Sequence, residues 1–326
     1  MIVSNTVSRP GNVENSVWVV IPCYNVAEHI QAVIERIDWD VIGIVAVNDA
    51  SRDDTFQILE SLKSDKRLFV IENESNLGVG GSTKRGFEFA FSNGATIAVK
   101  LDGDGQMDPK LISELVAPIF KGQADYVKGN RFINIDQVIS MPKVRLFGNI
   151  ALSFLTKLSS GYWEIFDPNN GFVAISKKSF ELIPIAKVDN RYFFESDMLF
   201  RLHLARAVVQ DFPMPTKYGT EVSGLKEFRA FFEFGYKHQK NFFKRIAIEY
   251  YLRDFNLGSI QLPMGLGLSL FGGLYGVMNF LHYHSLELPT PTGTQIVVAM
   301  SVLSGLQLLL SFFAFDVSNS PKKPIS

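Results

Sequence analysis

Two stretches of this chain carry no charged side chain, Ile260 to Leu281 and Thr294 to Phe315. Each is a little longer than the roughly 20 residues an α-helix needs to cross the hydrocarbon core of a bilayer. Between them lies His282–Gly293, short and rich in Pro and Thr. We read a helical hairpin that crosses twice; a buried helix pair in a soluble core is the alternative. Seven bases precede the first stretch (Lys226, Arg229, Lys237, Lys240, Lys244, Arg245 and Arg253), Lys322 and Lys323 follow the second, and the connection has neither Lys nor Arg. The excess of positive charge on the flanks predicts that both termini face the cytoplasm. Gly272 and Gly276 form a small-xxx-small pair suited to close helix contact. The aromatic and basic side chains interleaved over Lys226–Arg253 (Phe228, Phe231, Phe232, Tyr236, Phe242, Phe243) suit a segment lying in the headgroup layer.

Composition narrows the rest. The chain is 47% hydrophobic, with a mean hydropathy of +0.12, too apolar for disorder and slightly too apolar for an ordinary soluble enzyme. A net charge of −1 gives no global field for nucleic acid, and no nucleic-acid partner is expected. One cysteine excludes an internal disulfide and a Cys-rich zinc site, and no H-x-x-x-H spacing occurs. Met1–Ser16 is polar and lacks a signal-type apolar core, so it reads as a flexible tail.

From residue 17 onward, short β-branched runs alternate with helical patterns. The runs are Val17–Ile21, Ile42–Val47, Leu68–Ile71 and Thr96–Leu101; the helical segments are Glu28–Ile37, Thr55–Lys63, Gly80–Phe91 and Pro109–Phe120. Ser51-x-x-Asp54 has the form of a capping box, and Pro109 suits a first helical turn. This order predicts an α/β fold, a mainly parallel sheet with helices on both faces. Ligands bind such sheets beyond the carboxyl ends of the strands. Tyr24-Asn25, Asn48-Asp49 and Asp102-Gly-Asp104 all fall at those ends and point to one site. We divide the chain into a tail (1–16), a catalytic domain (17–225), an amphipathic juxtamembrane segment (226–259), two transmembrane helices (260–317) and a cytoplasmic tail (318–326).

The sharpest constellation is Lys100-Leu-Asp102-Gly-Asp104-Gly-Gln106, where an apolar strand delivers two carboxylates into a Gly-rich turn. In extended chain, alternate residues face the same way. Two neighbouring carboxylates repel unless a cation lies between them, and a hard divalent ion, Mg²⁺ or Mn²⁺, is the natural partner. Gly78-Val-Gly-Gly-Ser-Thr-Lys84 fails the phosphate-loop pattern, because Thr83 precedes the lysine, and fails the dinucleotide pattern as well. Gly78 and Gly80 read instead as positions of close backbone approach at a helix start. Arg131, after Gly129-Asn130, and Arg145, within Met141–Arg145, offer forks suited to phosphate. Asp167 opens Asp-Pro-Asn-Asn-Gly171 before a short strand, as an acid at the site or a turn former. Cys23 reads as a small apolar filler.

Taken together, Ile21-Pro-Cys-Tyr-Asn25, Val47-Asn-Asp-Ala-Ser51-x-Asp53, Asn76-Leu-Gly78, Asp102-Gly-Asp104-Gly-Gln106 and Asn169-Asn-Gly171-Phe172 resemble the motif set of the family 2 glycosyltransferases. The fold implied is GT-A, and the subgroup resembled is the polyprenyl-phosphate glycosyltransferases, over Trp18 to about Lys226. The resemblance implies that Pro22, Tyr24, Asn25, Glu28 and Asp49 line the nucleotide pocket, Asp49 accepting from the base. It implies that Asp102 and Asp104 hold Mg²⁺ or Mn²⁺ on the diphosphate with Gln106 beside it, that Arg131 and Arg145 grip the lipid phosphate, and that Asp167 stands near the acceptor. There are departures. Asn48 stands where many members have a first aspartate, and Lys217-Tyr-Gly219 replaces an arginine-bearing stretch before Ser223 and Lys226.

The partners implied are a nucleotide sugar (UDP- or GDP-linked), a polyprenyl phosphate and the membrane, with a homo-oligomer left open. The resemblance favours UDP-glucose or a related UDP-sugar and implies transfer with inversion at the anomeric carbon; the charged flanks predict that it takes place on the cytoplasmic leaflet. Two other readings share parts of this pattern. A processive polysaccharide synthase carries Gln-x-x-Arg-Trp, but Trp18, Trp39 and Trp163 do not follow an arginine. A non-catalytic nucleotide-binding accessory protein has no need of the paired acids.

Overall fold

The computed structural model describes residues 16–132, 143–215 and 227–325, with the backbone alone at 143–147, 149 and 227–231. The tail 1–15, the Met141-Pro142 start of the basic run, the Lys217–Gly219 departure and the boundary at 225/226 lie outside the described residues. The chain divides into two compact units, Met1–Phe242 with Pro321–Ser326, and Phe243–Ser320.

In the first unit, seven strands form one sheet: β1 (Val17–Cys23), β2 (Gly43–Asn48), β3 (Leu68–Glu72), β4 (Ile97–Lys100), β5 (Tyr126–Asn130), β6 (Val173–Ser176) and β7 (Val209–Pro213). Their order is β3-β2-β1-β4-β6-β5-β7. All neighbouring pairs are parallel except those made by β6, which runs antiparallel to both β4 and β5. The helices are α1 (Ile30–Glu35), α2 (Thr55–Ser61), α3 (Val79–Ser92), α4 (Ile112–Phe120), α5 (Lys143–Ser160), α6 (Lys177–Leu182), α7 (Phe194–Leu204) and α8 (Glu227–Ala247), the last running into the second unit.

β1 shows why its sequence reads as an unbroken apolar run. Val17, Val19, Ile21 and Cys23 join one buried cluster with Ile30, Val33, Leu115 and Val116; Trp18 and Val20 join another with Phe87, Phe91 and Leu199. A strand covered on both faces has no solvent side on which to place polar residues. The Ser51–Asp54 capping box does not form. Asp54 is the N-cap without a side-chain hydrogen bond. Ser51 Oγ instead accepts from Asn25 N (3.1 Å), while the Asp53 carboxylate accepts from Thr55 Oγ1 (2.6 Å) and Ala27 N (3.1 Å). These residues tie the β1 and β2 ends together, a long-range task that a local motif cannot reveal.

α3 lies so close to β1 that a Cβ on Gly86 would collide with Val20 Cγ1. Gly86→Ala is therefore expected to destabilise the first unit by about 1–3 kcal/mol, the usual cost of overpacking a filled core. A lowered thermal midpoint of the full chain in detergent checks this, and an unchanged midpoint would show that α3 can slide away.

The second unit is built on α9 (Leu257–Ser285) and α10 (Thr292–Ser318), both long and apolar enough to cross a membrane. They pack on glycines. A Cβ on Gly272 would lie 2.9 Å from Ser301 Cβ and Val302 Cγ2, and one on Gly276 would lie 2.9 Å from Val298 Cγ1. Thus the small-xxx-small pair faces the partner helix of the same hairpin. Arg245, counted in the sequence with the headgroup bases, is instead buried. Its Nη1 and Nη2 reach Asp316 at 2.6 and 3.0 Å, its Nη1 reaches Glu249 Oε2 at 3.2 Å, and Tyr250 Oη donates to Asp316 at 2.6 Å. Asp316, the residue that ends the second uncharged stretch, is thereby matched inside the unit. Exposed aromatics remain on the α8 segment, including Phe232, Tyr236 and Phe243.

Candidate active site

β1, β2 and β4 run parallel, so their carboxyl ends open on one edge. A cavity of about 490 Å³ lies there, with Pro22, Tyr24, Asp49, Asp102, Asp104 and Arg191 in its wall. A smaller one of about 80 Å³ is walled by Asp102, Asp104, Gln106, Arg131, Asn170 and Gly171, among others. Asp102 and Asp104 line both cavities.

The antiparallel strand creates this second cavity. Lys100 of β4 pairs with Val173 at the start of β6. An antiparallel strand begins where its neighbour ends, so Asp167–Gly171 arrives beside Asp102. Contact there is tight, since a Cβ on Gly171 would meet Asp102 Oδ2 at 2.5 Å and would also strike Lys100 Nζ. A side chain here would have to displace the Lys100 ammonium and the Asp102 carboxylate.

Several predicted residues meet at the edge, and others do not. Asp49 is buried and pins the loop that roofs the larger cavity. Its Oδ1 accepts from Asn73 Nδ2 (2.7 Å) and Leu77 N (2.8 Å), and its Oδ2 accepts from Gly78 N (2.8 Å). Asn25 and Glu28 are exposed and wall neither cavity; Asn25 Oδ1 accepts from Arg52 N. Asp104 Oδ1 accepts from Gln106 N (2.9 Å), which folds the turn after β4 back on itself. Arg145 belongs to α5, and its side chain lies outside the described residues.

Asp167 and Arg131 are joined. Arg131 Nε and Nη2 each donate to the Asp167 carboxylate at 2.8 Å, and the Arg131 backbone N–H adds a third bond at 3.1 Å. Burial works to raise the Asp167 carboxyl, but the bonds and charge of Arg131, helped by Lys128, outweigh it and hold the group below the usual carboxylate range. Asp167 adopts a left-handed backbone (φ 50°), as do Asn25 and Ala50 (both 53°), the other non-glycine residues in this region near the strand ends. Buried Lys128 of β5 supports the turn, donating to the carbonyls of Phe166 (2.7 Å) and Asp167 (2.6 Å).

Three contributors escaped the sequence reading, and a fourth, Lys100, was named there without a role. Arg191 and Tyr192 enter the wall of the larger cavity from the loop before α7. The glycine run admits that loop: Cβ atoms on Gly78 and Gly80 would come within 2.6 Å of Asn190 O and 2.5 Å of Asp189 O, and Gly81 N donates to Asn190 O at 2.9 Å. The backbone that approaches these glycines is thus the chain's own. Lys84, the lysine of the failed phosphate loop, donates to Val188 O at 2.7 Å. The other two are Lys100 and Glu195, both buried. Lys100 Nζ lies 2.6 Å from Asp102 Oδ1 and 3.2 Å from Glu195 Oε1. Burial opposes the charge on Lys100, yet the two carboxylates more than offset it and raise the ammonium's pKa. A lysine closing an otherwise apolar strand, two residues before an acid, was the available signal. Burial pushes the Cys23 thiol well up, as befits an inert filler.

The donor set fits a hard divalent cation: two carboxylates one residue apart, a side-chain amide beside them, and cavity space on both sides. No group of three or more His, Cys, Asp or Glu residues gathers among the described residues. Waters and a ligand's own oxygens would have to complete such an ion's shell, as is common for Mg²⁺.

Fold and site define a GT-A protein, an α/β sheet with its acids set at the strand ends between two cavities. The family model described as glycosyl transferase family 2 matches residues 18–183, and the chain belongs to that family. It is 31% identical to the UDP-N-acetylglucosamine–dolichyl-phosphate N-acetylglucosaminyltransferase of Methanococcus voltae, over 64% of this chain and 87% of that one. It is 29% identical to the dolichol-phosphate mannosyltransferase of Pyrococcus furiosus, over 55% of this chain and 51% of that one. Among solved structures, glucosyl-3-phosphoglycerate synthase from Mycobacterium tuberculosis, in complex with Mn²⁺, UDP and glucosyl-3-phosphoglycerate, superposes with a TM-score of 0.51 at 19% identity. That alignment covers 74% of this chain and 86% of the other, and the likeness is one of fold.

Proposed function

We propose that this protein transfers a hexose from a UDP-linked donor to polyprenyl phosphate at the cytoplasmic face of a membrane, by single displacement with inversion. The observation that carries the reading is the sharing of Asp102 and Asp104 by two cavities. One is roomy and fits a nucleotide sugar. The other is small, polar and bordered by Arg131, and fits a phosphate nucleophile. Relatives named for transfer to dolichyl phosphate support the acceptor. The UDP-dependent relative supports UDP, with UDP-glucose and UDP-N-acetylglucosamine the first donors to try. The long apolar helices α9 and α10 support anchoring in the bilayer.

In this reading Pro22 and Tyr24 border the nucleoside, with Asp49 holding the roof loop. Asp102 and Asp104, with Gln106, hold Mg²⁺ or Mn²⁺, which when bound supplies Lewis-acid stabilisation to the departing diphosphate. Arg131 orients the acceptor phosphate, with Arg145 as its partner from α5. Asp167 fixes the Arg131 fork, so it acts as a positioning carboxylate. A phosphate nucleophile is already anionic at neutral pH, and alignment supplies what a base would otherwise contribute. A groove of about 350 Å³ between α5 and α8, walled by Leu155, Leu158, Gly235, His238, Gln239 and Phe242, is a candidate surface for part of the prenyl chain.

The test is a reconstituted assay of the full chain with polyprenyl phosphate, a panel of labelled nucleotide sugars and Mn²⁺ or Mg²⁺. Glycolipid should form from a UDP-sugar, vanish with EDTA and return with Mn²⁺. Formation of no glycolipid from any donor overturns the reading, and undiminished transfer in EDTA removes the metal from it.

A further inference from the structure

The pairing of a metal-ligand acid with a buried lysine needs an explanation. An ammonium 2.6 Å from Asp102 Oδ1 competes for the same negative charge that would hold a divalent cation. The surroundings resolve the conflict. Lys100 has three N–H donors and three acceptors in place: Asp102 Oδ1, Gly171 O at 3.3 Å, and Glu195 Oε1 at 3.2 Å. The ammonium is therefore fixed in direction, and it holds the Asp102 carboxylate by one oxygen. Glu195 stands in the first turn of α7, its side chain 9% exposed, and walls neither cavity at the acids. Its ion pair toward the site is the one with Lys100. With Glu195 ionised, the trio has two carboxylates for one ammonium, and one negative charge remains for a cation at Asp102. Without Glu195 the trio is neutral, and Lys100 claims Asp102 alone.

We propose that Glu195 is a positioning residue for the metal site: by sharing Lys100 it leaves Asp102 both oriented and anionic toward the divalent ion. This rests on the reading of Asp102 and Asp104 as the metal ligands. The arrangement has a distinctive consequence. Removing Glu195's charge should weaken metal binding, and removing Lys100's charge as well should restore it, because Asp102 then regains its full charge. A merely structural role for the pair predicts instead that the thermal midpoint moves while Mn²⁺ affinity does not.

The experiment is a titration of Mn²⁺ into detergent-solubilised full chain with UDP present, followed by the electron paramagnetic resonance signal of free Mn²⁺. Glu195→Gln should raise the Mn²⁺ dissociation constant about tenfold or more, a shift of the size expected when a neighbouring charge is lost in a partly buried site. The apparent kcat of that variant should recover at saturating Mn²⁺. Glu195→Asp keeps the charge and should bind within about twofold of the parent. The double variant Lys100→Met with Glu195→Gln should return to within about threefold of the parent. Thermal melts identify any variant that fails to fold; should Glu195→Gln be one, the double variant alone carries the test by whether its Mn²⁺ affinity is near parental. A Glu195→Gln affinity equal to the parent's, or a double variant that binds as weakly as Glu195→Gln, overturns the proposal. Failure of the underlying reading looks different, since the parent itself would then bind no Mn²⁺ with UDP, or Asp104→Asn would bind it as the parent does.

Discussion

Asp104→Asn is expected to lower sugar transfer by about a thousandfold or more, the scale of losing a main electrostatic stabiliser of a leaving diphosphate. The substitution keeps the shape of the side chain. Asn can still accept the Gln106 N–H through Oδ1, so the turn after β4 should survive. What it removes is one of the two anionic charges facing both cavities. The thermal midpoint should stay within a few degrees of the parent, and membrane association should be unchanged. Retained turnover would overturn the proposed role of Asp104 in holding a divalent cation. Asp102 is a less clean target, because its loss also takes the shortest of three acceptors from buried Lys100, leaving it Glu195 and the Gly171 carbonyl.

Arg131→Ala should raise the KM for polyprenyl phosphate by at least about tenfold, and lower kcat, while the KM for the nucleotide sugar moves less than about twofold; a lost charge-assisted contact to phosphate has this magnitude. The residue's partner makes a second substitution necessary. Asp167 is buried to within 3% of full enclosure and takes both arms of the Arg131 fork. Arg131→Ala leaves that carboxylate without its main counter-charge, so a loss of stability is expected with the loss of function. Arg131→Lys keeps a charge near Asp167 but cannot present the bidentate fork. If the guanidinium grips phosphate, the lysine variant folds near normally and still shows the raised KM for the acceptor. An equal rise in both KM values would place Arg131 outside the acceptor site.

Much of the site was legible in the chain because parallel strands announce themselves. Their apolar runs, buried on both faces, stop abruptly at the polar residues Tyr24, Asn48-Asp49 and Asp102. Local chemistry was read less well where side chains reach across the fold. Ser51 and Asp53 look like a helix start and instead brace β1 against β2. Arg245 looks like a headgroup base and is sequestered by Asp316, 71 positions away. Asp167 looks like an acid at the site or a turn former and is engaged by Arg131. In each case the residue type was noticed, and its partner could not be.

The amino-acid sequence alone determined the alternation of strands and helices, the two long apolar helices and the acids at the end of β4. These depend on periodicity, burial and chain order, which are local properties. Only the tertiary structure decided that β6 enters the sheet reversed. That reversal sets Gly171 against Asp102, frames the smaller cavity beside Arg131, and lets Lys100 divide its charge between Asp102 and Glu195. Strand direction and long-range ion pairing arise from the packing of segments far apart in the chain, and no local pattern of residues encodes them.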